Sequence, residues 1–147
     1  MSKETPDHHD AELVLRLYEL RRESVMRESR NSLNMKFQPT SYEDIQTISK
    51  PDHPLNAAFR QVSSYWEMVY GMAKNGIVNT EYLMESSGEG LLLYAKMVPY
   101  LEQFRKDFFA TAFGNAEWVV AHSERAKMLL EIFTARLQQM AAAAKSQ

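Results

Sequence analysis

Apolar side chains recur every three or four positions between residues 54 and 75, which is the spacing of one face of an α-helix. This stripe consists of Leu55, Ala58, Phe59, Val62, Tyr65, Trp66, Val69 and Ala73, and Met68 and Met72 widen it. Pro54 suits the first turn of a helix, and Asn75-Gly76 suits its end. Because a helix with so broad an apolar face needs neighbours around it, we expect residues 54–75 to form the central helix.

Two helices are predicted before the central one. The first runs from near Asp7 or Asp10 to about Asn34, and the second is short, from about Ser41 to Ser49. In the second, Thr40 and Glu43 have the spacing of a capping box. In the first, a narrow stripe is predicted to face the core; it consists of Ala11, Leu15, Tyr18, Val25, Ser29 and Leu33.

The segment after the central helix also has helical periodicity. Asn79 is a predicted N-cap for a short helix. A long helix is expected from about Glu89 to Phe113, with a kink at Pro99, since proline lacks the N–H that the helix would use.

The last helical region is predicted over about residues 116–144, with Asn115 as its N-cap and a break that could fall at His122-Ser123. The pattern as a whole indicates an all-α fold: a bundle of about four long helices and two or three short ones.

The composition fits one globular domain. The chain has 147 residues, of which 45% are apolar and 24% charged, with a net charge of −2. We expect a single helical domain over residues 1–147, with flexible ends at 1–9 and 142–147. The charge excludes a wholly basic nucleic-acid-binding protein, and the absence of cysteine excludes disulfides and thiolate chemistry. The polar N-terminal segment and the lack of a long apolar run predict a soluble, cytoplasmic protein.

Motifs for chemistry are absent from the sequence. The four histidines lack zinc-site spacing, and neither a nucleophile elbow nor a phosphate-binding loop occurs. We therefore predict no metal, no cofactor and no catalytic residue. The arginines near the N-terminus alternate with glutamates, which favours an ion-paired, solvent-exposed face over a nucleic-acid surface; they are Arg16, Arg21, Arg22, Arg27 and Arg30.

Four residues are candidates for a ligand pocket between the central helix and the helix that contains Pro99. Trp66, Glu67, Arg105 and Trp118 combine aromatic and charged side chains, as pocket walls do. In this hypothesis Arg105 orients an anion and Glu67 contacts a donor. The alternative for the two charged residues is structural ion pairing.

Parts of residues 55–120 resemble a large uncharacterised bacterial family of helical proteins. The resemblance lies in Tyr65-Trp66-Glu67-Met68-Val69, in Gly76 to Glu81, in Pro99 followed by Arg105, and in Glu117-Trp118. The sequence departs from the pattern at Ala116, where the family has an aromatic residue. Members often begin with a membrane helix, whereas here the first helix is charged and amphipathic. The resemblance implies a helical domain of unknown function and assigns no activity.

Three functions are compatible with the sequence. The first is a non-enzymatic helical interaction module that self-associates, a dimer being favoured, because apolar surface near Met68, Met72, Phe109 and Phe113 exceeds what one small core can cover. The second is a small-molecule-binding protein or enzyme that uses the pocket described above. The third is an adaptor for nucleic acid or a membrane surface that uses the first helix.

Overall fold

The computed structural model describes residues 3–146, and within them the chain forms nine α-helices, one 3-10 helix and no β-strand. The helices are α1 (His8–Arg22), α2 (Ser24–Lys36), α3 (Tyr42–Ile48), α4 (Asn56–Lys74), α5 (Thr80–Ser86), α6 (Gly90–Met97), α7 (Leu101–Asp107), α8 (Gly114–His122) and α9 (Glu124–Lys145), with the 3-10 helix Val98–Tyr100 between α6 and α7. The predicted all-α fold is confirmed. No helix of this described part combines the length and apolar character needed to cross a membrane.

Helix α4 is the centre of the fold, as its broad apolar stripe predicted. It packs against α2 on one side and α8 on another, and it also contacts α5 and α6. Trp66, Val69 and Tyr70 on α4 are almost completely buried. The buried apolar side chains of all these helices join in one cluster, so α4 determines where the surrounding helices can lie.

The prediction of one long N-terminal helix is wrong, because the chain breaks between α1 and α2. Glu23 has an extended backbone, with ψ of 141°, and its carboxylate accepts hydrogen bonds from the N–H groups of Val25 and Met26, both at 3.1 Å. Glu23 thus caps α2, which satisfies donors that a new helix start leaves free. Helix α2 begins after this break and packs against α4.

The predicted inward face of the first helix is wrong except at its end, since Leu33 is the only residue of the predicted stripe that is buried. The buried residues of α1 are Asp10, Val14, Leu17 and Arg21, whereas Leu15 is 64% exposed. These four buried residues have helical spacing, and the first and last of them, Asp10 and Arg21, are charged. Those charges are buried because other parts of the chain supply partners for them.

The caps of the short helices are partly as predicted. Asn79 accepts a hydrogen bond from the N–H of Tyr82 at 2.8 Å, which confirms it as the N-cap of α5. The capping box of α3 lies one residue further on than predicted. Ser41 accepts from the N–H of Asp44, and the Asp44 carboxylate accepts from the N–H of Thr40 at 2.8 Å.

The helix that contains Pro99 is shorter than predicted. The chain passes from α6 through the 3-10 helix into α7, which ends at Asp107 rather than at Phe113. Phe113 then adopts the left-handed conformation, with φ of 58°, and α8 begins directly after it. Asn115 therefore lies in the first turn of α8 and is not its N-cap.

The break predicted near His122-Ser123 is present. Ser123 has an extended backbone, and its hydroxyl accepts a hydrogen bond from the N–H of Ala126 at 3.0 Å. Helix α9 then continues to Lys145. Of the ends predicted to be flexible, residues 1, 2 and 147 lie outside the described residues. Lys3 Nζ lies 2.7 Å from the buried Asp10 carboxylate.

Candidate functional site

A groove of about 490 Å³ lies between α4 and the segment from α7 to the start of α8. Five phenylalanines form its apolar wall, and the other lining residues are polar or charged; the phenylalanines are Phe59, Phe104, Phe108, Phe109 and Phe113. A volume of this size matches the pockets in which proteins bind small ligands. The groove is therefore the first candidate site in the described part of the chain.

The early end of α7 determines how these rings are arranged. Phe104 and Phe113 are buried, and they lie edge to face with their centroids 6.3 Å apart. Phe108 stacks on Phe104 at 4.7 Å but is 47% exposed, and Phe109 is 57% exposed. Two rings thus anchor the wall of the groove, while two others lie at its solvent-exposed edge.

The polar residues of the groove mostly have partners within the protein. Ser63 donates to the Phe59 carbonyl at 2.6 Å, and Ser64 donates to the Gln61 carbonyl at 3.2 Å. Because both hydroxyls are used as donors on their own helix, they contribute little to recognition of a ligand.

Glu67 lines the groove at the end nearest α8, and its carboxylate already has two partners. It accepts hydrogen bonds from the N–H groups of Asn115 at 3.0 Å and Ala116 at 2.9 Å. Asn115 Nδ2 also donates to the Glu67 carbonyl at 2.9 Å. Since these N–H groups are free donors in the first turn of α8, Glu67 acts as a cap supplied by another helix.

Arg105 lies on α7 and is used in a separate set of contacts. Its Nε donates to the Ala112 carbonyl at 2.9 Å, and a terminal nitrogen lies 3.1 Å from a carboxylate oxygen of Glu117. These contacts tie α7 to the following turn and to α8. Arg105 does not belong to the lining of the groove.

The two tryptophans lie in different places. Trp66 is 3% exposed and packs in the core, stacked on Tyr70 with the Arg21 guanidinium 5.3 Å from its ring. Trp118 is half-buried on α8 and stacks on the His122 ring at 4.2 Å. Of the four predicted pocket residues, Glu67 lines the groove and the other three do not. A binding role for the four stays a prediction.

Arg21 is the polar residue that the sequence analysis misplaced most. It is 5% exposed, not part of a solvated face, and it donates to the Tyr65 hydroxyl and the Ser87 hydroxyl, both at 3.4 Å, and to the Ser86 carbonyl at 3.2 Å. Burial raises the pKa of Tyr65. The signal in the sequence is the spacing of Arg21 from Val14 and Leu17, which places all three on one helical face.

Two further cationic side chains, Arg30 and Lys96, also have partners within the protein. Arg30 binds Glu89 through two nitrogens, at 2.6 and 2.9 Å. Lys96 is 5% exposed and points at the end of α2, where Nζ lies 3.4 Å from the Leu33 carbonyl and 3.3 Å from the Asn34 carbonyl. Burial lowers the pKa of Lys96 to about 8.

Comparison with known proteins gives a family but no activity. No curated protein and no solved structure matches the chain significantly. A family model described as a domain of unknown function matches residues 6–123, which include every helix from α1 to α8. The resemblance found in the sequence to an uncharacterised family is thereby confirmed: the chain belongs to the DUF4760 family, a domain of unknown function.

Proposed function

We propose that the protein is a non-enzymatic helical interaction module that self-associates through α9, with a dimer as its simplest state. The observation that carries this proposal is that Ala126 is the only buried residue of α9, although the helix has 22 residues. An amphipathic helix of this length is normally stabilised by burial of its apolar face.

The apolar residues of α9 have the spacing of a coiled-coil seam. Leu130, Phe133, Leu137, Met140 and Ala144 follow one another at alternating intervals of three and four residues. Leu130 and Phe133 are half-buried against the core of the chain. From residue 134 onward no side chain of α9 is buried, and Met140 is 51% exposed. The second half of the seam is therefore available to a partner.

A second copy of the chain suits this surface. The five seam positions carry no charge, so two seams can meet without burying an unpaired ion. The flanking positions beside Met140 hold Ala141 and Ala143, whose small side chains allow another helix to approach closely. Dimers with two-fold symmetry are also the commonest oligomers of soluble proteins.

Light scattering of the full chain tests the proposal over a concentration range of about 5–100 µM. We expect the mass to rise toward twice 17.0 kDa, and to stay at 17.0 kDa for Leu137→Glu. Gln138→Glu is the matched control, because it adds the same charge on an exposed position beside the seam. A constant mass of 17.0 kDa for the unaltered chain would contradict the proposal.

A small-molecule-binding protein is the second candidate function, and the groove supports it. The groove lies between α4 and the segment from α7 to the start of α8. Among the described residues no three His, Asp or Glu side chains are grouped closely enough to hold a metal ion. We accordingly propose binding at this site and assign it no reaction.

A cytoplasmic location remains a prediction. It came from the polar N-terminal segment, and imaging of the full chain fused to a fluorescent protein tests it. Fluorescence confined to the cytoplasm is the expected result, and fluorescence at the cell envelope would contradict it.

A further inference from the structure

We propose that the groove binds an amphipathic monoanion, with its apolar chain or ring between the phenylalanines and its carboxylate at Arg60. This inference rests on the second candidate function. It names the class of ligand, which neither the family nor the sequence pattern supplies.

The apolar part of the ligand follows from the walls. Phe59, Phe104 and Phe113 are nearly buried and form the floor, while Phe108 and Phe109 stand exposed at the edge. Exposed phenyl rings beside a concave apolar surface gain the free energy of burial when a ligand covers them. A ligand made only of polar groups would leave the exposed phenyl rings uncovered.

The anionic part follows from Arg60. Its Nε donates to Asn56 Oδ1 at 3.0 Å, and the buried Asn56 in turn donates to the Ile48 carbonyl at 2.8 Å. One edge of the guanidinium is thus fixed by a buried side chain. Its two terminal nitrogens have no hydrogen-bond partner within residues 3–146, so they can bind the two oxygens of a carboxylate.

Charge also sets the orientation of the ligand. Glu67 lies two turns beyond Arg60 on α4, about 10 Å along the helix axis. The Glu67 carboxylate would repel an anion at its end of the groove, although two backbone N–H groups of α8 bind it. The ligand carboxylate is therefore expected at the Arg60 end and the apolar tail toward Phe109 and Phe113.

Calorimetric titration with decanoate and with 1-decanol tests the inference. We expect decanoate to bind the full chain more tightly than decanol does. Decanoate should bind Arg60→Gln about fivefold more weakly, because Arg60 is exposed and an exposed ion pair contributes little free energy. Arg16→Gln is the control, because it removes an exposed arginine from α1. Ser64→Trp, at an exposed position in the groove, should block both probes.

The possible results distinguish failure of the anionic-ligand inference from failure of the groove as a binding site. If decanol binds as tightly as decanoate, and Arg60→Gln changes neither affinity, the anionic ligand is excluded while the groove remains a binding site. If neither probe binds, or if Ser64→Trp leaves binding intact, both this inference and the second candidate function are wrong.

Discussion

Helices α4 and α9 have similar lengths, and each carries apolar residues at helical spacing, yet they are buried to very different extents. Helix α4 buries eight of its 19 residues, and α9 buries one of 22. The difference arises because α2 and α8 cover α4, whereas α9 contacts the chain mainly through its first half. Periodicity therefore identifies an apolar face, but the neighbouring helices decide whether that face is core or free surface.

Truncation of one side chain in each helix should show this contrast most strongly. We expect Trp66→Ala to lower the free energy of unfolding by about 3–5 kcal/mol, because it leaves a cavity in the core. Leu137→Ala should cost less than about 1 kcal/mol in dilute protein, where no partner covers α9. Urea denaturation of each variant measures both values. Equal losses of unfolding free energy would show that α9 is as well packed as α4.

The next largest effect is expected within α1, where neighbouring arginines have opposite environments. Arg21→Ala should destabilise the protein by about 2–3 kcal/mol, because it removes three hydrogen bonds and leaves buried polar groups of Tyr65 and Ser87 less well satisfied. Arg22→Ala, at an exposed position, should change stability by less than about 0.5 kcal/mol. Thermal unfolding distinguishes the two, and similar melting temperatures would show that Arg21 contributes no more than a surface cation.

Removal of the cap supplied by α4 should have a smaller effect. Glu67→Ala is expected to cost about 1–2 kcal/mol, because the N–H groups of Asn115 and Ala116 lose their acceptor. Gln61→Ala on the same helix is the exposed control. Chemical denaturation gives the values, and faster amide exchange at the start of α8 should accompany the loss. An unchanged stability would argue that Glu67 is free for another role.

The smallest effect concerns the pH dependence contributed by Lys96. The pKa of Lys96 is about 8 in the folded protein, compared with 10.5 for an ordinary lysine. Between these two pH values the unfolded chain therefore binds more protons than the folded protein does. Stability should therefore rise with pH above about 8, by roughly 1 kcal/mol up to about pH 9.5 after allowance for solvent near the amine.

Lys96→Met separates this effect from other titrations. The variant should be the more stable protein at pH 7, and its advantage should shrink as the pH rises through about 8 to 9.5. Denaturation midpoints of the two proteins at each pH provide the comparison. A stability difference between the two proteins that does not vary with pH would show that the pKa of Lys96 is the same in the folded and unfolded states.

Sequence reasoning succeeded where a feature depends on nearby residues. The central helix, the Asn79 cap and the break at Ser123 each follow from residues within about one or two turns. The Glu23 break is also local, since the carboxylate caps Val25 and Met26, but the prediction of one long helix overlooked it.

Prediction from the sequence failed where the burial of a residue depends on partners that are distant in the chain. The inward face of α1 contains Arg21, whose partners Tyr65 and Ser87 lie 44 and 66 residues away. The spacing of Arg21 from Val14 and Leu17 places it on the buried face, but no nearby residue identifies Tyr65 and Ser87 as its partners. The same limit applies to Arg60, because its role in the groove depends on where α7 ends and how Phe108 and Phe109 are then exposed.

Hydrogen–deuterium exchange at two protein concentrations tests most directly whether α9 binds a second copy. At high concentration we predict slow exchange of the amides in the second half of the helix, from residue 134 to 145, with rapid exchange of the same amides after dilution. The amides of α4 should stay protected in both samples. Exchange in α9 that is identical at both concentrations would contradict self-association through this helix.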